Sequence, residues 1–72
     1  MLSLEIVKNI DIRMTIHDFR MVEGPSHTNL LFDVVAPFDL KMTDEELEKE
    51  VFAKAQETFG KHYFTVIKVD KK

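Results

Sequence analysis

Two polar residues, His17 and Asp33, lie within stretches whose other residues are typical of buried β-strands. Burying a polar group without a hydrogen-bond or ionic partner costs about 2–7 kcal/mol. Each of these residues is therefore expected to have a partner, which is either another side chain or something bound from outside the chain. An ion pair with Arg13 or Arg20 would satisfy Asp33, and a carboxylate or backbone carbonyl would satisfy His17.

The same residues suit general acid–base catalysis, with His17 as the base and Asp33 or Asp18 as the carboxylate that orients it. Catalysis by a covalent route also needs an activated nucleophile. The chain has no Cys, and Ser3 and Ser26 lie in sequence contexts that do not suggest activation. A domain of this size also has little room for a deep pocket. We therefore predict that the protein is not an enzyme.

The composition limits the kinds of partner. The 72 residues include ten basic and 13 acidic side chains, intermixed along the chain, for a net charge of −3. No basic stripe is available to release counterions from phosphates, so nucleic acid is not an expected partner. No apolar run approaches the ~20 residues of a membrane-spanning helix. The length predicts one domain over residues 1–72, which without Cys would gain extra stability from oligomerisation or bound metal.

The first half of the chain is predicted to form a short helix and a β-hairpin. Apolar residues recur every four positions from Leu2 to Ile10, which indicates about two helical turns, as at the end of a longer helix. The chain is therefore expected to be a domain excised from a longer protein. Strands are predicted over Ile12–Val22 and Leu30–Ala36, joined by the turn "EGPS". The apolar residues of the first strand change parity after His17, which indicates a β-bulge or burial on both faces.

The second half contains the clearest element, a helix over Thr43–Phe59. The sequence "TDEE" predicts a capping box, in which Thr43 accepts from the Glu46 amide and Glu46 reaches back to Thr43. Gly60 is well placed to end the helix. A third strand is predicted over His62–Val69.

The resulting order of helix, strand, strand, helix, strand predicts an α+β sandwich with the pattern αββαβ. A hairpin followed by a crossover helix gives one three-stranded sheet with the helices on one face. The other sheet face and at least one edge then remain exposed. Exposed apolar surface of this kind predicts a homodimer.

Four segments in this order carry a resemblance to a known family. The segments "IHDFR", "EGPSHTNLLFDVVAP", "TDEELEKEV" and "VIKVD" resemble the cytoplasmic C-terminal domain of cation diffusion facilitator transporters, also called cation efflux proteins. The resemblance covers nearly the whole chain and depends on order and spacing, since no single motif is highly specific. It implies a metallochaperone-like αββαβ fold, related to the ferredoxin-like fold, that dimerises below the membrane part of the transporter.

The resemblance also implies a metal site. His17 matches the family's first-strand metal histidine, Asp33 a second-strand ligand position that is often His, and Asp70 the acidic ligand at the end of the last strand. The alternatives are an ion pair for Asp33 and an unemployed, exposed carboxylate for Asp70. One nitrogen and two carboxylates would accept a divalent metal ion, with zinc favoured and manganese, iron or cobalt also suitable. Lys68 departs from the pattern, because better-known members have a histidine there.

Other residues with ligand chemistry have simpler expected roles. Glu46 lies near a helix ligand position of some members, but the capping box explains it without metal. His27 and His62 are expected to be exposed, in the loop and at the start of the last strand.

Taken together, the expectation is a cytoplasmic dimerisation and metal-sensing domain of a divalent-cation efflux transporter. Its partners would be a second copy of itself and the membrane domain of the same transporter, on the cytoplasmic side of the cell membrane, and the isolated domain would be soluble. The alternative is a pure dimerisation module that has lost its metal site.

Overall fold

A computed structural model describes residues 2–72, with side chains from residue 5 onward. Over this range the elements follow the predicted order of helix, strand, strand, helix, strand. They are α1 (Leu2–Ile10), β1 (Thr15–Glu23), β2 (Thr28–Ala36), α2 (Asp44–Phe59) and β3 (Tyr63–Lys71).

The three strands form one mixed sheet in the order β1-β2-β3. The β1 and β2 strands form an antiparallel hairpin, and β3 returns parallel to β2 after the crossover through α2. Both β1 and β3 are therefore edge strands within the part of the chain that the structure describes. The predicted α+β sandwich with the pattern αββαβ is confirmed.

The core lies between the helices and one face of the sheet. In β2, buried and half-buried residues alternate along the whole strand, because successive side chains point to opposite faces. The buried set packs against Val7 of α1 and against Leu47 and Val51 of α2. Its apolar members in β2 are Leu30, Phe32, Val34 and Ala36. Both helices thus cover the same sheet face, as predicted.

A β-bulge explains the change of parity in β1. His17 pairs with Asp33 and Arg20 with Leu31, so two residues of β1, Asp18 and Phe19, lie opposite one residue of β2. Asp18 lies at this irregularity with a φ of +56°. The bulge lets Phe19 turn back to the core, where its ring stacks on Phe32 with a centroid distance of 5.9 Å. Of the two interpretations of the sequence pattern, a β-bulge or burial on both faces, the bulge is correct.

The capping box of α2 forms as predicted. The Glu46 amide N–H donates to the Thr43 hydroxyl at 3.1 Å, and the Thr43 N–H donates to the Glu46 carboxylate at 3.1 Å. These bonds lower the pKa of Glu46, the Thr43 backbone N–H having the largest effect. Gly60 follows the helix with a φ of +128°, and its N–H donates to the Gln56 carbonyl at 2.9 Å.

No helix within residues 2–72 is both long and apolar enough to cross a lipid bilayer.

Candidate functional site

His17 and Asp33 are cross-strand neighbours on the sheet face that α1 and α2 leave open. Their Cα atoms pair directly across β1 and β2. Opposite residues of an antiparallel pair have Cβ atoms about 4.5–5.5 Å apart, so these two side chains can share a small ligand. The hairpin register is what brings together two residues that are 16 positions apart in the sequence.

Asp70 reaches the same part of the open face from β3. Its Cα pairs with Val35, two residues beyond Asp33 on the middle strand. His17, Asp33 and Asp70 all line one shallow depression of about 390 Å³. The three residues that the resemblance implies as metal ligands therefore line the same depression at one end of the sheet.

The depression is more open to solvent than the sequence suggests. His17 is exposed and Asp33 is only half-buried, so the expectation that burial forces a partner on each is wrong. These side chains are exposed because they lie on the uncovered sheet face. Strands of mostly apolar residues need not be buried on both sides. His17 Nε2 lies 3.4 Å from the Thr15 hydroxyl. Arg13 is not the partner of Asp33, since it pairs with Asp11 at 2.9 Å and Asp39 at 3.0 Å.

Asp70 has a weak ionic partner at the end of the chain. Lys72 Nζ lies 3.6 Å from Asp70 Oδ2, and about half or more of each side chain is exposed. Ion pairs between exposed side chains contribute about 0–1 kcal/mol, so this contact would not hold Asp70 away from a ligand.

Lys68 lies in register with Asp33 on β3 and lines the same depression. Its ammonium group places a positive charge beside the two carboxylates and opposes the binding of a cation there. Across residues 2–72, no three His, Cys, Asp or Glu side chains lie close enough together to hold a metal ion as a set. A single chain thus presents His17 and Asp33 as a pair, with Asp70 farther along the depression.

The remaining candidates have structural contacts of their own. Glu46 serves the capping box. The His27 ring is half-buried and stacks on Phe64 with a centroid distance of 4.7 Å, so it is less exposed than predicted. His62 is exposed and lies beside the Tyr63 ring at 4.5 Å.

A second depression, which the sequence analysis did not predict, adjoins the first. It has a volume of about 600 Å³, and Arg20, Leu31, Val66 and Lys68 contribute to its lining. These residues come together because Leu31 pairs with Arg20 on one side and with Val66 on the other. Counting pairs outward from the turn would have found Arg20 opposite Leu31, whereas the pairing with Val66 depends on the register of β3 after the crossover, which the sequence does not specify.

Searches against protein-family models, curated proteins and solved structures find no match to this chain. The resemblance to cation diffusion facilitator domains therefore stays a prediction.

Proposed function

We propose that this chain is a dimerisation and metal-sensing domain of a divalent-cation efflux transporter, similar to the cytoplasmic domains of cation diffusion facilitators. One observation carries the proposal. His17 and Asp33 face each other on the open side of the sheet, and Asp70 lines the same depression. These are the residues that the family resemblance implies as ligands.

The donor set fits a divalent first-row metal ion. An imidazole nitrogen and two carboxylates suit zinc, and they also suit manganese, iron(II) or cobalt. Two donors in register cannot complete the four ligands that zinc usually takes. The remaining positions would be filled by Asp70, by water or by donors of a second copy that covers the open face. A metal ion that binds the dimer better than the monomer then favours the dimer.

In this proposal the domain has two partners, a second copy of itself and the membrane domain of the same transporter. The chain would lie on the cytoplasmic side of the membrane, where it would respond to the metal concentration.

The alternative of a dimerisation module with a lost metal site is supported by Lys68. Lys68 pairs with Asp33 across β2 and β3, at the position where the family resemblance implies a histidine. A protonated lysine cannot donate to a metal and must lose its proton first.

The test is calorimetric titration of zinc and manganese into metal-free protein. We expect the wild type to bind zinc and His17→Ala to bind at least about tenfold more weakly, which corresponds to about 1.4 kcal/mol. His62→Ala is the matched control, because His62 is also exposed but lies outside the depression. At a free zinc concentration of 100 times Kd, the folded state should gain about 2.7 kcal/mol, which thermal unfolding would detect. Equal binding by the wild type and His17→Ala would exclude the proposed site.

Two variants of Lys68 separate the proposal from its alternative. Lys68→Gln removes the charge, and Lys68→His also supplies a ligand. If the wild type does not bind zinc but Lys68→His does, while Lys68→Gln does not, the chain is a dimerisation module whose site has been lost.

A further inference from the structure

We propose that the outer edge of β3, with the adjoining groove against α2, binds an extended basic segment of another protein as a fourth strand. This inference does not depend on the proposed metal site, because the groove contains none of His17, Asp33 and Asp70, although Val66 borders both the groove and the open sheet face.

The backbone of β3 leaves hydrogen-bonding groups unused along its outer edge. Thr28 N–H donates to the His62 carbonyl at 2.8 Å, and at the other end Lys72 N–H donates to the Ala36 carbonyl at 2.9 Å. The parallel register between these ends is unbroken. Even-numbered residues of β3 therefore point their N–H and C=O groups toward β2, and the odd-numbered Thr65 and Ile67 point theirs outward.

One contact of α2 supports this assignment and shows where the edge is covered. The Gln56 side-chain amide donates to the Tyr63 carbonyl at 3.4 Å, so this odd-numbered residue does face outward. At Thr65 and Ile67, no strand within residues 2–72 occupies the outer edge. Unpaired edge backbone of this kind is a template for an added strand.

A groove of about 460 Å³ runs along this open part of the edge. Phe52 and Val66 provide an apolar surface, and Val66 is 56% exposed. The helix side of the groove carries Glu45, Glu48 and Lys49. An edge strand beside a helix provides both main-chain hydrogen bonds and a surface that can select side chains.

The charge of the helix side favours a basic partner. Glu45 has an exposed ion-pair partner, the Lys49 ammonium at 3.7 Å, whereas Glu48 has no ion pair within residues 2–72. Over its full length, α2 has six acidic and two basic side chains. Two copies joined edge to edge through β3 about a twofold axis would bring two such helices together, so like-charge repulsion opposes a second copy as the occupant.

The geometry also predicts the pattern of the bound segment. Side chains of an added strand alternate between the two sheet faces. Lys or Arg residues would face α2 and Glu48, and apolar residues would lie beside Val66 on the open face. The expected ligand is thus a run of alternating basic and apolar residues.

The probe for the test is a fluorescein-labelled, acetylated eight-residue peptide of alternating Lys and Val, and the control is the matching Glu–Val peptide. Fluorescence anisotropy would measure affinity, and ¹⁵N-labelled protein would locate the bound peptide by NMR. We expect the basic peptide to bind at least tenfold more tightly than the acidic one. The amides of Thr65 and Ile67 should become protected from hydrogen exchange.

Variants test the backbone and the charge separately. Thr65→Pro removes one outward N–H without removing a bond to β2, and it should abolish binding. Glu48→Lys should weaken binding of the basic peptide threefold or more, whereas Glu57→Lys, on the same helix but outside the groove, should leave it unchanged. Both charge variants retain the helix and remain informative if Thr65→Pro fails to fold. Equal binding of both peptides, an unchanged affinity of Glu48→Lys, or protection at other residues would overturn the proposal, as would pairing of β3 with a second copy.

Discussion

Asp18 shows how one residue sets the geometry of the candidate site. Its φ of +56° is a left-handed conformation that Asp tolerates better than most residues and that β-branched residues strongly disfavour. This conformation forms the bulge, which keeps His17 opposite Asp33 while Phe19 returns to the core.

Substitutions of Asp18 should therefore show how much the left-handed backbone conformation at this position affects stability. Asp18→Val is expected to lower the free energy of unfolding by about 1–2 kcal/mol, because a β-branched side chain clashes in the left-handed region. Asp18→Gly should stay within about 1 kcal/mol of the wild type, since relief of strain offsets the greater entropy of the unfolded chain. Urea unfolding would measure both. If Asp18→Val is as stable as the wild type, the bulge is not held in this conformation.

At the level of single residues, the sequence predicted where a residue lies in its strand better than it predicted how exposed its side chain is. The parity change after His17 was visible in the sequence and indicated either a bulge or burial on both faces, and the structure shows the bulge. The exposure of His17 and Asp33 was not visible, because an apolar strand of a three-stranded sheet looks the same whether its second face is covered or open. Whether another molecule covers this face cannot be read from the sequence of this chain alone.

Among the elements, α2 was the most predictable because its ends are determined locally. Thr43 and Gly60 begin and end it through backbone hydrogen bonds that the adjacent residues supply. The start of β1 was less predictable. The alternation of Ile12 and Met14 resembles a strand but belongs to a turn, in which Ile12 is 77% exposed and Met14 is fully buried. The end of β3 extends past the predicted Val69 because the last residues still pair with β2.

The capping box of α2 gives a prediction about stability and pH. Thr43→Ala should cost about 0.5–2 kcal/mol, because it leaves the Glu46 amide without an acceptor. The hydrogen bond from the Thr43 N–H lowers the pKa of Glu46 below its ordinary value of 4.5. The stability from this ionised carboxylate is therefore present above pH 4.5 and is lost as the pH falls through the lower folded-state pKa.

Glu46→Gln provides the measurement. The difference in Tm between the wild type and Glu46→Gln should be largest at neutral pH and should shrink as the pH is lowered to about 3. In the Thr43→Ala background the same substitution should have a smaller effect, because the two residues act as a pair. A difference in Tm that is constant with pH would show that the ionised carboxylate does not stabilise the cap.

For the whole molecule, the important property is its small core beside an open sheet face. A chain of 72 residues is expected to bury only ~60% of the surface that it exposes when unfolded, which leaves little stability for the monomer. Leu31 and Val35 are half-buried on the open face, and Val22 and Val66 are more than half exposed. A second copy that covers these side chains would add apolar burial that one chain cannot provide.

Dimerisation through this face predicts that thermal stability depends on protein concentration. A tenfold rise in concentration favours a folded dimer by about 1.4 kcal/mol, or about 0.7 kcal/mol per chain, and should raise Tm by about 3–5 °C. Leu31→Lys should remove this dependence and give a monomer in analytical ultracentrifugation, because it places a charge at the centre of the face beside Arg20 and Val66. The control is Ile12→Lys, which changes a more exposed apolar residue outside the strands and should leave the dimer intact. A wild-type Tm that is independent of protein concentration would show that the open face is not the dimer interface, and so would a Leu31→Lys variant that still dimerises. In either case, a second copy could not complete a site at His17 and Asp33.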